Sequence, residues 1–378
     1  MDVPTTQADI IAILVDGTGQ DGNQQPTKAT NADKRMQKSD SFRSRAKVIV
    51  YIPGLGSSQE NPLSDTVSQA TGYDVDALIT QVCFIIKENY VTGDKIYLVG
   101  FSRGAYCVKI AAWIVVRAGT MLRETLGCAD SDIGCKKYWE AEELGTAENA
   151  GQNVCIEWLV LWDTVGAVFA SSWMDELNQI PLASSPLNVS HTLHAVAIHE
   201  NRPMFQVILV EDNGVTGSTE VWFTGAYSDV GGGASNSLNL QNASLIWDIG
   251  QIPEFSGFNT EDLLYPELDT VTPSNALEDT GSVLLKLVSA KTRVASGQLK
   301  STSRLHESEV ICPQVNTPDG LVTKDQLRAL GWNEDLFTVR FNDFEASKLS
   351  KSSASLRRST TGIPNTGRPV ETQQHNQP

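Results

Sequence analysis

The sequence predicts an α/β protein built on a mostly parallel central sheet with helices on both faces. Three observations predict it. Short, continuously apolar runs recur along the chain, as in "IIAILV", "AKVIVYI" and "KIYLVGF". Strands buried on both faces read this way, and parallel sheets bury both faces. Amphipathic segments alternate with the runs. Finally, residues able to do chemistry collect just past the carboxyl end of a run: Asp16, Gly54, Ser102, Asp163 and Asp229. That edge of an open α/β sheet is where ligands bind.

Each element follows from its local pattern. Residues 10–15 form a strand that ends in the turn-rich "DGTGQDGNQQP". "AKVIVYIPGLGSS" repeats the pattern, apolar run then Pro-Gly. Val75 to Tyr90 carries Ala77, Leu78, Val82, Ile85 and Ile86 at helical spacing. A strand from Lys95, a turn at Ser102 and a helix from Tyr106 to Ala118 come next. "CIEWLVLWDTVGAV" is a buried strand ending in Asp163, and "SHTLHAVAIHE" has helix-like spacing. "FQVILV" and "TEVWFTGAY" predict strands, whereas "ASLIWDIGQI", "TGSVLLKLVSAKTRV" and "KDQLRALGW" predict helices. From about Ser350 the chain is Ser, Thr, Arg, Gln and Pro with few apolar anchors. The expected organisation is one α/β domain over 1–349 and a disordered polar tail over 350–378.

Composition excludes several function classes. The 378 residues carry a formal net charge of −16 and are 40% hydrophobic. That is ample for a core, but the acidic balance repels nucleic acid at long range. Six cysteines contain no C-x-x-C, so no zinc ribbon is predicted. No apolar run approaches a membrane span, and the N-terminus enters a strand without a basic or long apolar leader. The expectation is a soluble, cytoplasmic, reduced protein.

The chemistry centres on "LVGFSRGAY". Gly100, Ser102 and Gly104 spell G-x-S-x-G between a strand and a helix. A nucleophile elbow needs small residues there, because strand and helix nearly touch, and Ser102 is the candidate nucleophile. The N–H of Arg103 opens the helix and points at a developing oxyanion. The loops at Gly17 and Gly54 offer the second donor. Asp163, closing an apolar strand, is the candidate acid that orients an imidazole. Asp229 in "YSDVGGG" is its rival, or a brace for that loop. The base is one of five histidines. His306 in "SRLHESEV" falls where the chain order Ser, Asp, His puts it. The "DGTG" loop is neither a P-loop, since no G-K-[ST] follows, nor a D-x-D-G-T phosphatase loop, since Leu14 stands where that nucleophile belongs.

Seven blocks in order, "VDGTG", "YIPGLG", "GDKIYLVGFSRGAY", "LWDTVGAV", "HAVAIHENRPMFQ", "VWFTGAYSDVGGG" and "LHESEV", resemble the α/β-hydrolase domain family that includes the type VI secretion phospholipase effectors and many fungal and bacterial members. The resemblance spans roughly residues 8 to 312. It implies an α/β-hydrolase-like fold and a Ser-Asp-His mechanism on lipid or small acyl esters, with no metal or cofactor. Ser102 and Asp163 inherit the nucleophile and acid. The family block reads G-x-H-S-D-V-G-G-G, and this chain has Tyr227 where the histidine stands. Tyrosine, with a reference pKa near 10, is a poor general base at neutral pH. Three outcomes stay open. His306 replaces the lost base, the enzyme is severely weakened and serves binding, or His306 is the family's own base.

Overall fold

The computed structural model describes residues 9–21, 29–37, 46–55, 75–118, 154–166, 183, 189–202, 205–210, 217–233, 240–253, 263, 293, 296–307, 324–340 and 345. The elements, in chain order, are β1 (Ile10–Val15), α1 (Asn31–Gln37), β2 (Ala46–Ile52), α2 (Val75–Asn89), β3 (Lys95–Phe101), α3 (Arg103–Ala118), β4 (Ile156–Trp162), β5 (Val189–Ala197), β6 (Ser218–Phe223), α4 (Tyr227–Gly231), α5 (Gln241–Gln251), β7 (Leu305–His306), α6 (Lys324–Ala329), α7 (Glu334–Phe337) and β8 (Thr338–Val339). The fold is α/β and hydrolase-like. The eight strands form one sheet in the order β2-β1-β3-β4-β5-β6-β7-β8. Every neighbouring pair in it is parallel.

Period-2 alternation in the strands decides which helix each face receives. Ile11, Ile13 and Val15 of β1 point to the face covered by α2 and α3, with Leu98, Leu159 and Leu161 beside them. Ile10, Ala12 and Leu14 point the other way, with Tyr97, Val99, Phe101 and Trp162, under Leu245, Ile246 and Trp247 of α5. Helix α2 buries Val75, Leu78, Ile79, Val82, Cys83 and Ile86, a stripe with the 3.6-residue period. A smaller cluster of Val196, Ile198, Trp222, Leu299, Leu305, Leu327 and Trp332 closes the β7 end.

The chain runs from β1 outward to β2, then returns to place β3 on the other side of β1. This reversal opens a crevice at the carboxyl ends of β1 and β3. Both the Asp16 loop and Ser102 lie at that edge.

Two predicted elements differ. "SHTLHAVAIHE" is not a helix but the central strand β5, hydrogen-bonded to β4 and β6. From Thr192 onward both its faces are buried, so its spacing carries no clean alternation to set against a helical reading. "FQVILV" forms no named strand; Val207 makes one isolated antiparallel bridge to Val165. Most of "TGSVLLKLVSAKTRV" and the tail from 350 lie outside the described residues.

Candidate active site

Ser102 sits between β3 and α3 with φ 59°, left-handed backbone that a residue with a Cβ adopts only under constraint. Its N–H donates to the Trp162 carbonyl at 2.9 Å, and its own carbonyl accepts from Tyr106 at 3.1 Å. Two glycines make the turn possible by close approach. A Cβ on Gly100 would lie 2.5 Å from the Ala105 Cα, and one on Gly104 would lie 2.3 Å from the Val15 carbonyl oxygen. Strand β3, helix α3 and the end of β1 therefore touch, and the Ser102 side chain is held at their junction.

Tyr227, the first residue of α4, hydrogen-bonds Ser102 through its hydroxyl. Its ring packs 4.5 Å from Phe101 and edge-on to Phe205 at 5.1 Å, centroid to centroid. Burial pushes the phenol well above its ordinary value; the Ser102 hydrogen bond and the Arg103 and Arg202 charges offset this only in part. The group is a neutral hydrogen-bonding partner, not a phenolate base. The Arg202 guanidinium lies 3.8 Å over Phe205 and 5.6 Å over Tyr227. It is held by a bidentate pair with Glu200, at 2.8 Å on each side. Burial alone would raise Glu200, but the Arg202 hydrogen bonds and charge outweigh it and hold the carboxyl below its usual range.

Asp163 follows β4 with φ 44° and is fully buried. Its Oδ1 accepts from the Ala197 N–H at 2.9 Å and from Arg293 Nη1 at 2.5 Å, and its Oδ2 accepts from Arg293 Nη2 at 2.9 Å. Arg293 also donates to the carbonyls of Ala197 and Phe205. The predicted acid thus lies close enough to Tyr227 to oppose its ionisation, but its hydrogen-bonded cation is an arginine.

Among the described residues, Ser102 hydrogen-bonds no histidine. His306 lies on β7, four positions along the sheet from β3, a separation of roughly 19 Å at about 4.8 Å per strand. Its ring stacks on Phe223 at 4.5 Å, with Nε2 2.9 Å from Glu345 Oε1. The structure therefore does not bring His306 to Ser102, and the expected base is corrected on that ground. His191 stacks on Trp158. His194 accepts from the Thr164 N–H at Nε2, so Nδ1 carries the proton given to Glu220 at 2.9 Å. His199 accepts from the Gly225 N–H at Nδ1, 2.9 Å, and burial lowers its pKa to about 3. His375 lies outside the described residues.

Two expected oxyanion donors are engaged within the protein. The Gly17 N–H donates to Asp16 Oδ1 at 2.7 Å, and the Gly54 N–H to the Gln20 carbonyl at 2.9 Å. Asp16 is a clamp for its loop; its Oδ2 also accepts from Thr30 Oγ1 at 2.8 Å and Tyr51 Oη at 2.6 Å. Burial raises its pKa to about 6 despite these three donors. Arg103 keeps its predicted place at the start of α3, and its Nη1 donates to Thr18 Oγ1 at 2.8 Å. Asp229 braces: its Oδ2 accepts from the Ala226 N–H at 2.9 Å and caps α4.

Sequence reasoning missed Arg293, Thr30, Tyr51 and the Glu200–Arg202 pair. Only "HENRP", a charged cluster just past an apolar run, carried a visible signal. Among the described residues, no group of three or more His, Cys, Asp or Glu side chains is arranged to hold a metal ion. No helix among them is long and apolar enough to cross a membrane.

A strained serine elbow at the switch point of a parallel sheet defines the hydrolase-fold class. Residues 10–251 match the family described as T6SS, phospholipase effector Tle1-like, catalytic domain, and the chain belongs to that family. A relative is an uncharacterised protein of Saccharomyces cerevisiae, 26% identical over 222 residues, which are 52% of this chain and 32% of that protein. Two solved structures are similar. One is an uncharacterised protein from Pseudomonas aeruginosa, with TM-score 0.36, 18% identity, and coverage of 63% of this chain and 45% of that one. The other is the Tle1 effector bound to the VgrG spike of the type 6 secretion system, with TM-score 0.35, 16% identity, and coverage of 61% and 52%. The chain spans about a third of the curated relative and about half of each solved chain.

Proposed function

We propose that the Ser102 site receives a carboxylic ester of the lipid acyl class, and that this chain is a strongly weakened serine hydrolase whose site chiefly binds that ester. Membership of a phospholipase-effector family supports the substrate class. The observation that carries the weakening is the Ser102–Tyr227 hydrogen bond, with Asp163 held by Arg293. Attack by Ser102 Oγ on the acyl carbon needs a group to take its proton. A neutral, buried phenol with a raised pKa does not take it at neutral pH. The retained elbow, Ser102 at φ 59°, supports an active ancestry. The same proposal puts the protein in the cytoplasm, which suits the reduced thiols of Cys107 and Cys155 among the described residues. It also keeps one hydrolase domain over 1–349.

A fluorescent alkyl fluorophosphonate tests this. Wild type is expected to label slowly at Ser102, with no labelling in Ser102→Ala. Tyr227→His is expected to raise the rate roughly 10²-fold or more, the scale of general-base catalysis. His306→Ala is expected to leave wild-type labelling unchanged. Wild-type labelling as fast as that of Tyr227→His, or loss of labelling in His306→Ala that remains folded, would sink the proposal.

A further inference from the structure

We infer that the second oxyanion donor is the backbone N–H of Thr18, paired with that of Arg103, in place of the glycine amides on either side of the crevice. This rests on the reading that Ser102 accepts acyl electrophiles, and it deepens that reading.

The assignment follows from the hydrogen bonds of the loop after β1. The Asp16 N–H donates to the Ile52 carbonyl at 3.0 Å and the Gly17 N–H to the Asp16 carboxylate. The Gly19 N–H donates to the Leu55 carbonyl at 2.7 Å, and the Gln20 N–H to the Gly17 carbonyl at 3.0 Å. Across the crevice the Gly54 N–H is spent on Gln20. Of the amides from Asp16 to Gln20, that of Thr18 alone has no acceptor among the described residues.

Position agrees. The Thr18 hydroxyl accepts from Arg103, the residue after Ser102, which ties this loop to the start of α3. A Cβ on Gly17 would lie 3.1 Å from the Tyr227 hydroxyl oxygen, and that hydroxyl bonds Ser102. The loop carrying Thr18 therefore flanks the reacting oxygen. Packing holds it there: a Cβ on Gly54 would meet the Gly17 carbonyl oxygen at 1.7 Å, so the two loops are in backbone contact. Asp16, clamped by Thr30 and Tyr51, is a positioning residue for the same amide.

The step balances simply. The Ser102 Oγ–carbon bond forms as the carbonyl electron pair moves to oxygen. That oxygen accepts from Thr18 and from Arg103, whose N–H, in the first turn of α3, has no intrahelical acceptor. The Oγ–H bond breaks in the same step, its proton passing to water in wild type and to the new imidazole in Tyr227→His; the pair returns as the carbon–alcohol bond breaks, and the alcohol oxygen takes a proton from that carrier.

The test uses the full chain in the Tyr227→His background with an alkyl fluorophosphonate. Thr18→Pro removes the N–H and is expected to slow labelling roughly 10²-fold, the effect of deleting one such donor. Thr18→Val keeps the N–H and loses the hydroxyl; a smaller loss is expected, restored in Thr18→Ser. A second readout does not depend on whether Thr18→Pro folds. With 15N-threonine and 15N-glycine in the Tyr227→His protein, adduct formation is expected to move the Thr18 amide downfield and leave Gly17 and Gly54 in place. A still Thr18 amide with a moving Gly17 or Gly54 amide overturns the assignment alone. No adduct in Tyr227→His overturns the ester-site reading and this assignment together.

Discussion

Arg293 holds both carboxylate oxygens of Asp163, at 2.5 and 2.9 Å, inside a fully buried corner of the site. Taking two charges out of water costs several kcal/mol per ion, which the geometry and the further bonds to Ala197 and Phe205 offset. Removing one partner leaves the other charge buried. Arg293→Met is expected to destabilise the protein by about 3–5 kcal/mol. Adding Asp163→Asn, which removes the stranded charge and tolerates left-handed backbone, is expected to return much of that loss. Urea unfolding of the two single variants and the double variant measures the coupling.

Tyr227 meets Ser102 and its neighbours in two separable ways: its ring packs against Phe101 and Phe205, and its hydroxyl hydrogen-bonds Ser102. Tyr227→Phe keeps the ring against Phe101 and Phe205 and deletes the bond. A stability loss of about 1 kcal/mol is expected, the net worth of one hydrogen bond. Fluorophosphonate labelling is expected to stay at the wild-type level, because freeing Ser102 supplies no proton acceptor. Intact-protein mass spectrometry over a time course measures it; a gain matching that of Tyr227→His would mean that the hydroxyl, rather than a missing imidazole, restrains the site.

Asp16 and His199 pull the pH dependence of stability in opposite directions. Asp16 titrates near 6 in the fold against 3.8 as its reference, so between these values the native state holds a proton that the unfolded chain has lost. Its contribution falls as pH rises through that window. His199 titrates near 3 against 6.5, so there the unfolded chain holds the extra proton, and its contribution falls as pH drops. From about pH 4 to 6 the two slopes cancel, each being about 1.4 kcal/mol per pH unit. Asp16→Asn is expected to leave a stability that drops more steeply with acid than wild type, and His199→Asn one that drops less steeply. Denaturant midpoints at pH 4.5, 5.2 and 6.0 check both; parallel curves for all three proteins would contradict the assigned burial.

The sheet was legible because burial on both faces writes itself as continuous apolar runs, and the elbow because Gly100 and Gly104 flank Ser102 two positions away on either side, where β3, α3 and the end of β1 touch. Strand β5 was not legible, since it is buried on both faces from Thr192 onward and lacks the alternation that would set it apart from helical spacing. Arg293 was illegible for a different reason. It meets Asp163 across 130 positions of sequence, and a lone arginine in "KTRV" has no local feature that names a partner. The glycine amides were plausible donors by flexibility, yet which N–H stays unspent depends on carbonyls and a carboxylate supplied by the folded loop. Local steric needs are written in neighbouring residues; hydrogen-bond allocation is settled only when distant loops meet.

His306 illustrates how chain order misleads when the fold places a residue on a far strand. It is fully buried with Glu345, stacked on Phe223, and joined through Leu305 to Trp222 in the sheet. Its work in this position is structural. His306→Ala removes the ring stacked on Phe223 and leaves a cavity, so a loss of about 2–5 kcal/mol is expected, the range for large-to-small changes in a core. His306→Phe, which restores a stacked ring, is expected to avoid part of it. Neither change is expected to alter Ser102 labelling in protein that remains folded at 15 °C. Urea unfolding together with fluorophosphonate labelling at that temperature separates the two roles. Labelling lost in step with His306, at full foldedness, would put an imidazole back at the nucleophile and contradict the four-strand separation.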